Sequence, residues 1–139
     1  MPEKETLERA AEDKAEGKSP STQAGEFVHE EIEHIREGKH GARSAKQAIA
    51  IGLSKARRAG VKLPPPAKGR SSAATRRRAA KDLASARSGS HKTSARRARA
   101  TSRALKREGH AAASHAALSR QARTAARKRT TARRSAKKR

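Results

Sequence analysis

The sequence predicts an all-α chain in which a small antiparallel helical hairpin precedes a long basic tail. Two observations carry that expectation: apolar residues recur at helical spacing between about residues 23 and 60 and almost nowhere else, and charge is sharply divided along the chain. Of 139 residues, 36 are Lys or Arg and 13 are Asp or Glu, a formal charge of +23. Residues 1–37 hold 11 acidic and 5 basic side chains, residues 38–66 hold 7 basic and none acidic, and residues 67–139 hold 24 basic and 2 acidic. The expected organisation is an acidic N-terminal helix and linker (1–22), the hairpin (23–63), a Pro-rich hinge (64–69) and an Arg/Lys/Ala-rich tail (70–139).

The first zone opens with Pro2 and runs through Glu3, Glu5, Leu7, Ala10, Ala11 and Ala15 to Gly17. Acids near the start and a glycine at the end suit one helix, whose apolar face is mostly Ala. Ser-Pro within Lys18 to Thr22 then favours a turn.

In the hairpin, Val28, Ile32 and Ile35 stand at i, i+4 and i+7 with Phe27 beside them, so one stripe is apolar and the rest is Glu, His and Arg. Gly38 ends that helix. Ser44-Ala-Lys-Gln47 matches a capping box and specifies the start of the next, in which Ala45, Ala48, Ile49, Gly52, Leu53 and Ala56 share a face. Gly60 followed by Val61 suits its C-terminal cap. The small residues at 45, 48, 52 and 56 allow close helix approach. Ile51 lies off the main stripe, so a second surface, a dimer partner or part of the tail, is expected to cover it.

Pro64-Pro65-Pro66 reads as a stiff, extended hinge. Beyond it, only Leu83, Leu105 and Leu118 are large and apolar, too few for a core. Ala and Arg are good helix formers, so 75–87, 94–107 and 111–129 are helix-capable, while like-charge repulsion opposes helix until a polyanion screens it. The tail is therefore expected to be disordered alone and helical on binding. The segment from Ile35 to Gly38 with Ser44 recurs loosely as Leu105 to Gly109 with Ser114, but the spacings diverge after the Ser, which argues for shared composition rather than a repeat.

With no Cys, thiolate nucleophiles, disulfides and zinc–thiolate sites are excluded. The longest apolar run, Ala48 to Leu53, is too short to span a bilayer, and the N-terminus does not read as a secretory signal. His29 and His34 are i, i+5, about 140° apart on a helix, so they do not form the paired ligands of a zincin, and both are read as surface residues. His91, His110 and His115 add titratable charge to the tail. No nucleophile, base and orienter can be assembled. The expectation is no enzyme, no cofactor, no metal and no small-molecule substrate.

A net charge of this size gathers polyanions, and duplex DNA is the densest common one. Arg outnumbers Lys 17 to 7 in the tail, and guanidinium forks bind phosphate oxygens bidentately. The expected contacts are Arg76, Arg77, Arg78, Arg96, Arg97, Arg99, Arg103, Arg120, Arg123, Arg127, Lys128, Arg129, Arg133, Arg134, Lys137, Lys138 and Arg139. Phe27 is the sole aromatic, so stacking on single strands is poorly supported, and an RNA- or ribosome-associated role is the alternative. The loop Gly38 to Arg43 runs into a helix N-terminus, where Lys39, Arg43, Ser44 and Lys46 form a candidate phosphate site. A helix-turn-helix presenting Lys46, Gln47 and Lys55 to a groove is a further reading, against which the loop is long. The acids Glu26, Glu30, Glu31, Glu33 and Glu37 are expected to solvate their helix or to pair with the tail.

From Glu26 to Gly60 the chain resembles a family of small basic bacterial proteins sharing a Lys-Gln-Ala-Ile-Ala-Ile helix, here Lys46 to Ile51, after a glycine-rich basic loop. The resemblance implies a bacterial origin and DNA binding. The tail is similar to linker-histone C-terminal domains and bacterial histone H1-like proteins, though it is Arg-rich and poor in Pro. That similarity implies sequence-blind DNA compaction in a bacterial nucleoid; self-association of the hairpin is expected separately, from Ile51 and the small-residue face.

Overall fold

A computed structural model describes residues 2–89 and 94–138. They form six α-helices: α1 (Lys4–Ala15), α2 (Pro20–Arg36), α3 (Ala45–Arg58), α4 (Ala73–Ser88), α5 (Ala95–Arg107) and α6 (His115–Lys137), with a 3₁₀ turn at Ala111–Ala113 before α6. His91 and Arg139 lie outside the described residues.

The hairpin of α2 and α3 is the frame. α2 begins at Pro20, three residues before the apolar pattern, because Ser19 is its N-cap: the Ser19 hydroxyl accepts from Thr22 N–H at 3.3 Å and Pro occupies N1, where its missing N–H costs nothing. The expected linker is thus reduced to one turn, closed by Gly17 at φ +76°. α3 starts where the capping box places it. Ser44 Oγ accepts from Gln47 N–H at 3.1 Å, while the Gln47 side chain reaches back to the amide of Arg43 at 2.6 Å. Gly52 sets the closeness of the pair, since a Cβ there would stand 2.6 Å from Val28 Cα.

α2 is buried on two faces rather than along one stripe, because α1 packs on one side and α3 on the other. One apolar cluster gathers Ala10, Ala24, Phe27, Ala56 and Val61, with Leu53 and Leu63 against it. A second gathers Ile35, Ala42, Ala48, Ala112 and Ala113, with Ile32 against it. Phe27 and Ile35 are fully buried, each removing enough apolar surface for roughly 1.5–3 kcal/mol. Between the clusters lie Glu30 and Glu31, which the sequence reading left in solvent and which are 4% and 1% exposed. Glu30 accepts from the Glu3 amide and from Thr6 Oγ1, acting as a tertiary cap for the N-terminus of α1. Glu31 is held by Lys55 and His40.

The triproline segment is pinned rather than free. Buried Arg57 donates Nε to Leu63 O and Nη2 to Pro64 O, both at 3.1 Å. Burial lowers the Arg57 guanidinium below its ordinary value. The fork turns the chain back so that α4 packs on α3, with Arg58 and Asp82 3.9 Å apart and Ala79 buried.

The basic half departs from the expected disorder: it is carried on α4, α5 and α6, near the three helix-capable stretches. Ala and Arg propensity is reinforced by serine caps at Ser72 and Ser114, whose hydroxyls accept from Thr75 and Ala117 N–H. Nor is it all surface. The loop before α3 docks onto the segment after α5, with Gly41 N–H donating to Leu105 O at 2.8 Å and Ala42 N–H to Gly109 O at 3.0 Å. Ala112 and Ala113 complete the second cluster, and Arg36 Nε donates to Ala113 O at 3.0 Å. The two similar sequences, Arg36-Glu-Gly38 to Ser44 and Arg107-Glu-Gly109 to Ser114, do the same local work: each ends one helix and supplies the serine cap of the next.

Candidate nucleic-acid interface

On α5, Arg96, Arg99, Arg103 and Arg107 stand at i, i+3, i+7 and i+11 and so share one face, and all are exposed. The opposite face carries Ala98, Thr101, Ser102 and Leu105, which border an open cleft of about 520 Å³ against Ile51, Lys55 and Arg58 of α3. Ile51 is half-buried and lines this cleft opposite the chain's own α5. Arg97 lines the cleft instead of joining the outer stripe.

α6 runs 23 residues, about 34 Å at 1.5 Å per residue. Its first turns meet α3 across a second cleft of about 360 Å³ lined by Arg43, Ser44, Lys46, Arg120, Gln121 and Thr124 among others. Arg120, Arg123, Arg127 and Arg134 lie at i, i+3, i+7 and i+14 on one exposed face, which Lys138 joins and Lys137 borders; Lys128, Arg129 and Arg133 are exposed elsewhere around the helix. On α4, Arg77 and Arg78 are exposed, whereas Arg76 is half-buried and its Nε has no hydrogen-bond partner.

Pairing distinguishes the two halves of the chain. Several cations among residues 4–55 are paired locally, Lys4 with Glu8, Arg9 with Glu26, Lys18 with Asp13 and Glu16, Arg36 with Glu33, Lys39 with Glu3 and Glu37, and Lys55 with Glu31, while Lys14, Arg43 and Lys46 are in no ion pair among the described residues. Among the described residues no cation of α5 or α6 is in an ion pair, and no N-terminal carboxylate reaches a cation beyond residue 67. The expected pairing between the acidic zone and the tail is therefore not made.

The four residues of the candidate phosphate site are separated. Arg43, Ser44 and Lys46 stay together at the N-terminus of α3, where the amides of Ala45 and Lys46 lack intrahelical partners, and Arg120 joins them from α6. Lys39 turns the other way, onto Glu37 and Glu3, which raise its pKa in that order. Arg120 had no sequence signal linking it to this loop, because 70-odd residues separate it from Arg43 and only the docking of Gly41 and Ala42 brings them near. The helix-turn-helix reading does not survive: α3 is packed by α2, α4 and α6, Lys55 is held by Glu31 and Gln47 by the Arg43 amide.

Residues 14–68 match a family described as being of unknown function (DUF6496). The match covers α2, the loop, α3 and the prolines pinned by Arg57, and it ends before the basic helices begin. No curated protein and no solved structure matches the chain. Among the described residues no helix is long and apolar enough to cross a membrane.

Proposed function

We propose that this chain is a sequence-nonspecific DNA-binding protein of histone H1-like character, which neutralises and compacts duplex DNA, as in a bacterial nucleoid. The observation that carries this reading is the pair of solvent-facing arginine stripes on α5 and α6, free of ion pairs and contributing nothing to either apolar cluster. Such an arrangement costs repulsion in the free protein, and phosphate neutralisation offsets that cost with release of condensed counterions. Arginines spread along a helix suffice to bind phosphates and follow groove shape without reading bases.

Duplex DNA is favoured over RNA by the position of Phe27. The sole Phe, Tyr or Trp ring is 1% exposed in the core, so the surface offers no large aromatic platform for unpaired bases. Bridging between duplexes follows from basic faces on separate helices and does not require self-association through Ile51.

The test is competition of a duplex DNA against a structured RNA of equal length for the full chain, at two salt concentrations. Preference for duplex at both concentrations is expected. Preference for RNA at matched salt would replace this reading with the RNA-associated one.

A further inference from the structure

We propose that Glu31, His34 and His40, with Glu3 alongside, form a binding site for a late first-row divalent metal ion, zinc being the best fit. Glu31 and His34 are at i and i+3 on α2 and share a face, and the turn at Gly38, φ +78°, returns the loop so that His40 meets them. One donor atom from each of Glu31, His34 and His40 lies within 4.8 Å of the other two; the same holds for Glu3, Glu30 and His34, so His34 joins the two groups.

The decisive detail is the environment of the His40 ring. Its Nδ1 is 2.9 Å from Gly41 O and its Nε2 is 3.0 Å from Glu31 Oε2, so both ring nitrogens face oxygen acceptors. A neutral imidazole has one N–H to give. If the backbone carbonyl takes it, the Nε2 lone pair faces the Glu31 carboxylate, where a bound cation would satisfy both; if Glu31 takes it, the Nδ1 lone pair faces the Gly41 carbonyl, so a neutral ring alone leaves one of the two oxygens without a donor. A backbone carbonyl fixing Nδ1–H while Nε2 faces a carboxylate is the outer-shell pattern of metal-ligating histidines.

The surroundings favour the metal. His34 Nε2 is 3.0 Å from Glu3 Oε1, and the two imidazoles stand edge to face with centroids 6.2 Å apart. Glu30 is 4% exposed and its Oε2 has no partner, an orphaned acceptor in the adjoining group of Glu3, Glu30 and His34. Lys55 occupies Oε1 of Glu31 and leaves Oε2 to the ring. Two imidazoles and a carboxylate suit Zn²⁺, with ligand distances near 2.0–2.2 Å and donors about 3.3 Å apart around a tetrahedral ion, so donors now within 4.8 Å of one another would close by at most about 1.5 Å. The hard cations Mg²⁺ and Ca²⁺ prefer all-oxygen sets. An ion here would tie the N-terminus of α1, the middle of α2 and the loop that docks on α5. His29 and His34 diverge on α2 as their spacing requires; the partner of His34 comes instead from the loop, as His40.

The test is titration of metal-free full-length protein with Zn²⁺ by calorimetry, with histidine-selective NMR on the same samples. Saturable binding of one equivalent is expected, with resonance changes confined to His34 and His40 among the six histidines. His34→Gln and His40→Gln should each weaken binding at least about tenfold, and exposed His29→Gln should leave it unchanged. Absence of saturable binding, or Zn²⁺ shifts spread over His29, His110 and His115, would overturn the site. The NMR readout uses the unmodified chain, so poor folding of a variant leaves the test intact.

Discussion

The amide of Gly41 donates to the carbonyl of Leu105 at 2.8 Å, and this contact joins the hairpin to the basic half. It is possible because residue 41 has no side chain: a Cβ would stand 2.0 Å from Glu108 O and 2.6 Å from Gly109 O. Gly41→Ala should therefore separate the loop from the end of α5, at about 1–3 kcal/mol. Amide exchange at Gly41 and Ala42 should accelerate sharply while α1 and α2 keep their protection. Unchanged protection would show that the docking does not exist in solution.

Gly52→Ala gives a prediction whose sign differs from helix propensity. An interior Gly replaced by Ala should gain about 1 kcal/mol in an isolated helix. Here the new methyl meets Val28 Cα at 2.6 Å and Val28 N at 2.9 Å, backbone atoms that cannot swing aside. Urea denaturation should show net destabilisation, because overpacking of this kind costs about 1–3 kcal/mol.

Arg57→Met tests the pinned prolines. It keeps an apolar stem but leaves the carbonyls of Leu63 and Pro64 without their donor, and removing hydrogen bonds from a charged donor costs roughly 1.5–3 kcal/mol each. Thermal unfolding should move down, and proteolysis should begin to cut near residues 64–70.

Among the cations, exposure and pairing predict which matter for DNA. Arg123→Ala and Arg127→Ala on α6 should each reduce the salt slope of binding by about 1 and weaken all sequences alike. Lys39→Ala should leave the slope unchanged, since Glu37 and Glu3 already hold that ammonium. An equal effect at Lys39 would mean that the local pairs open on binding.

Local signals in the sequence were enough for the helices. The Ser44 capping box and the apolar spacing from Val28 to Ile35 located α3 and most of α2, because caps and periodicity act within a few residues. The three helix-capable basic stretches also lie close to α4, α5 and α6. What stayed hidden depends on contacts between distant segments. Glu30 and Glu31 look like solvated acids until α1 and α3 close over both sides of α2. The basic half looks coreless until Ala112 and Ala113 are seen beside Ile35, since alanines carry little signal individually. Likewise Arg120 joins Arg43, and Lys39 leaves it, only through the docking of one loop on another. Charge repulsion does not leave the tail unstructured, because serine caps and Ala/Arg propensity outweigh it at this spacing.

The most direct test of the account is the salt dependence of duplex DNA binding by the full chain. If eight to ten arginines and lysines of the exposed stripes neutralise phosphates, log affinity should fall against log salt with a slope of roughly −7 to −9, without dependence on sequence. A slope shallower than about −3, or affinity that varies strongly among unrelated duplexes, would contradict the claim that α5 and α6 are a phosphate-binding surface.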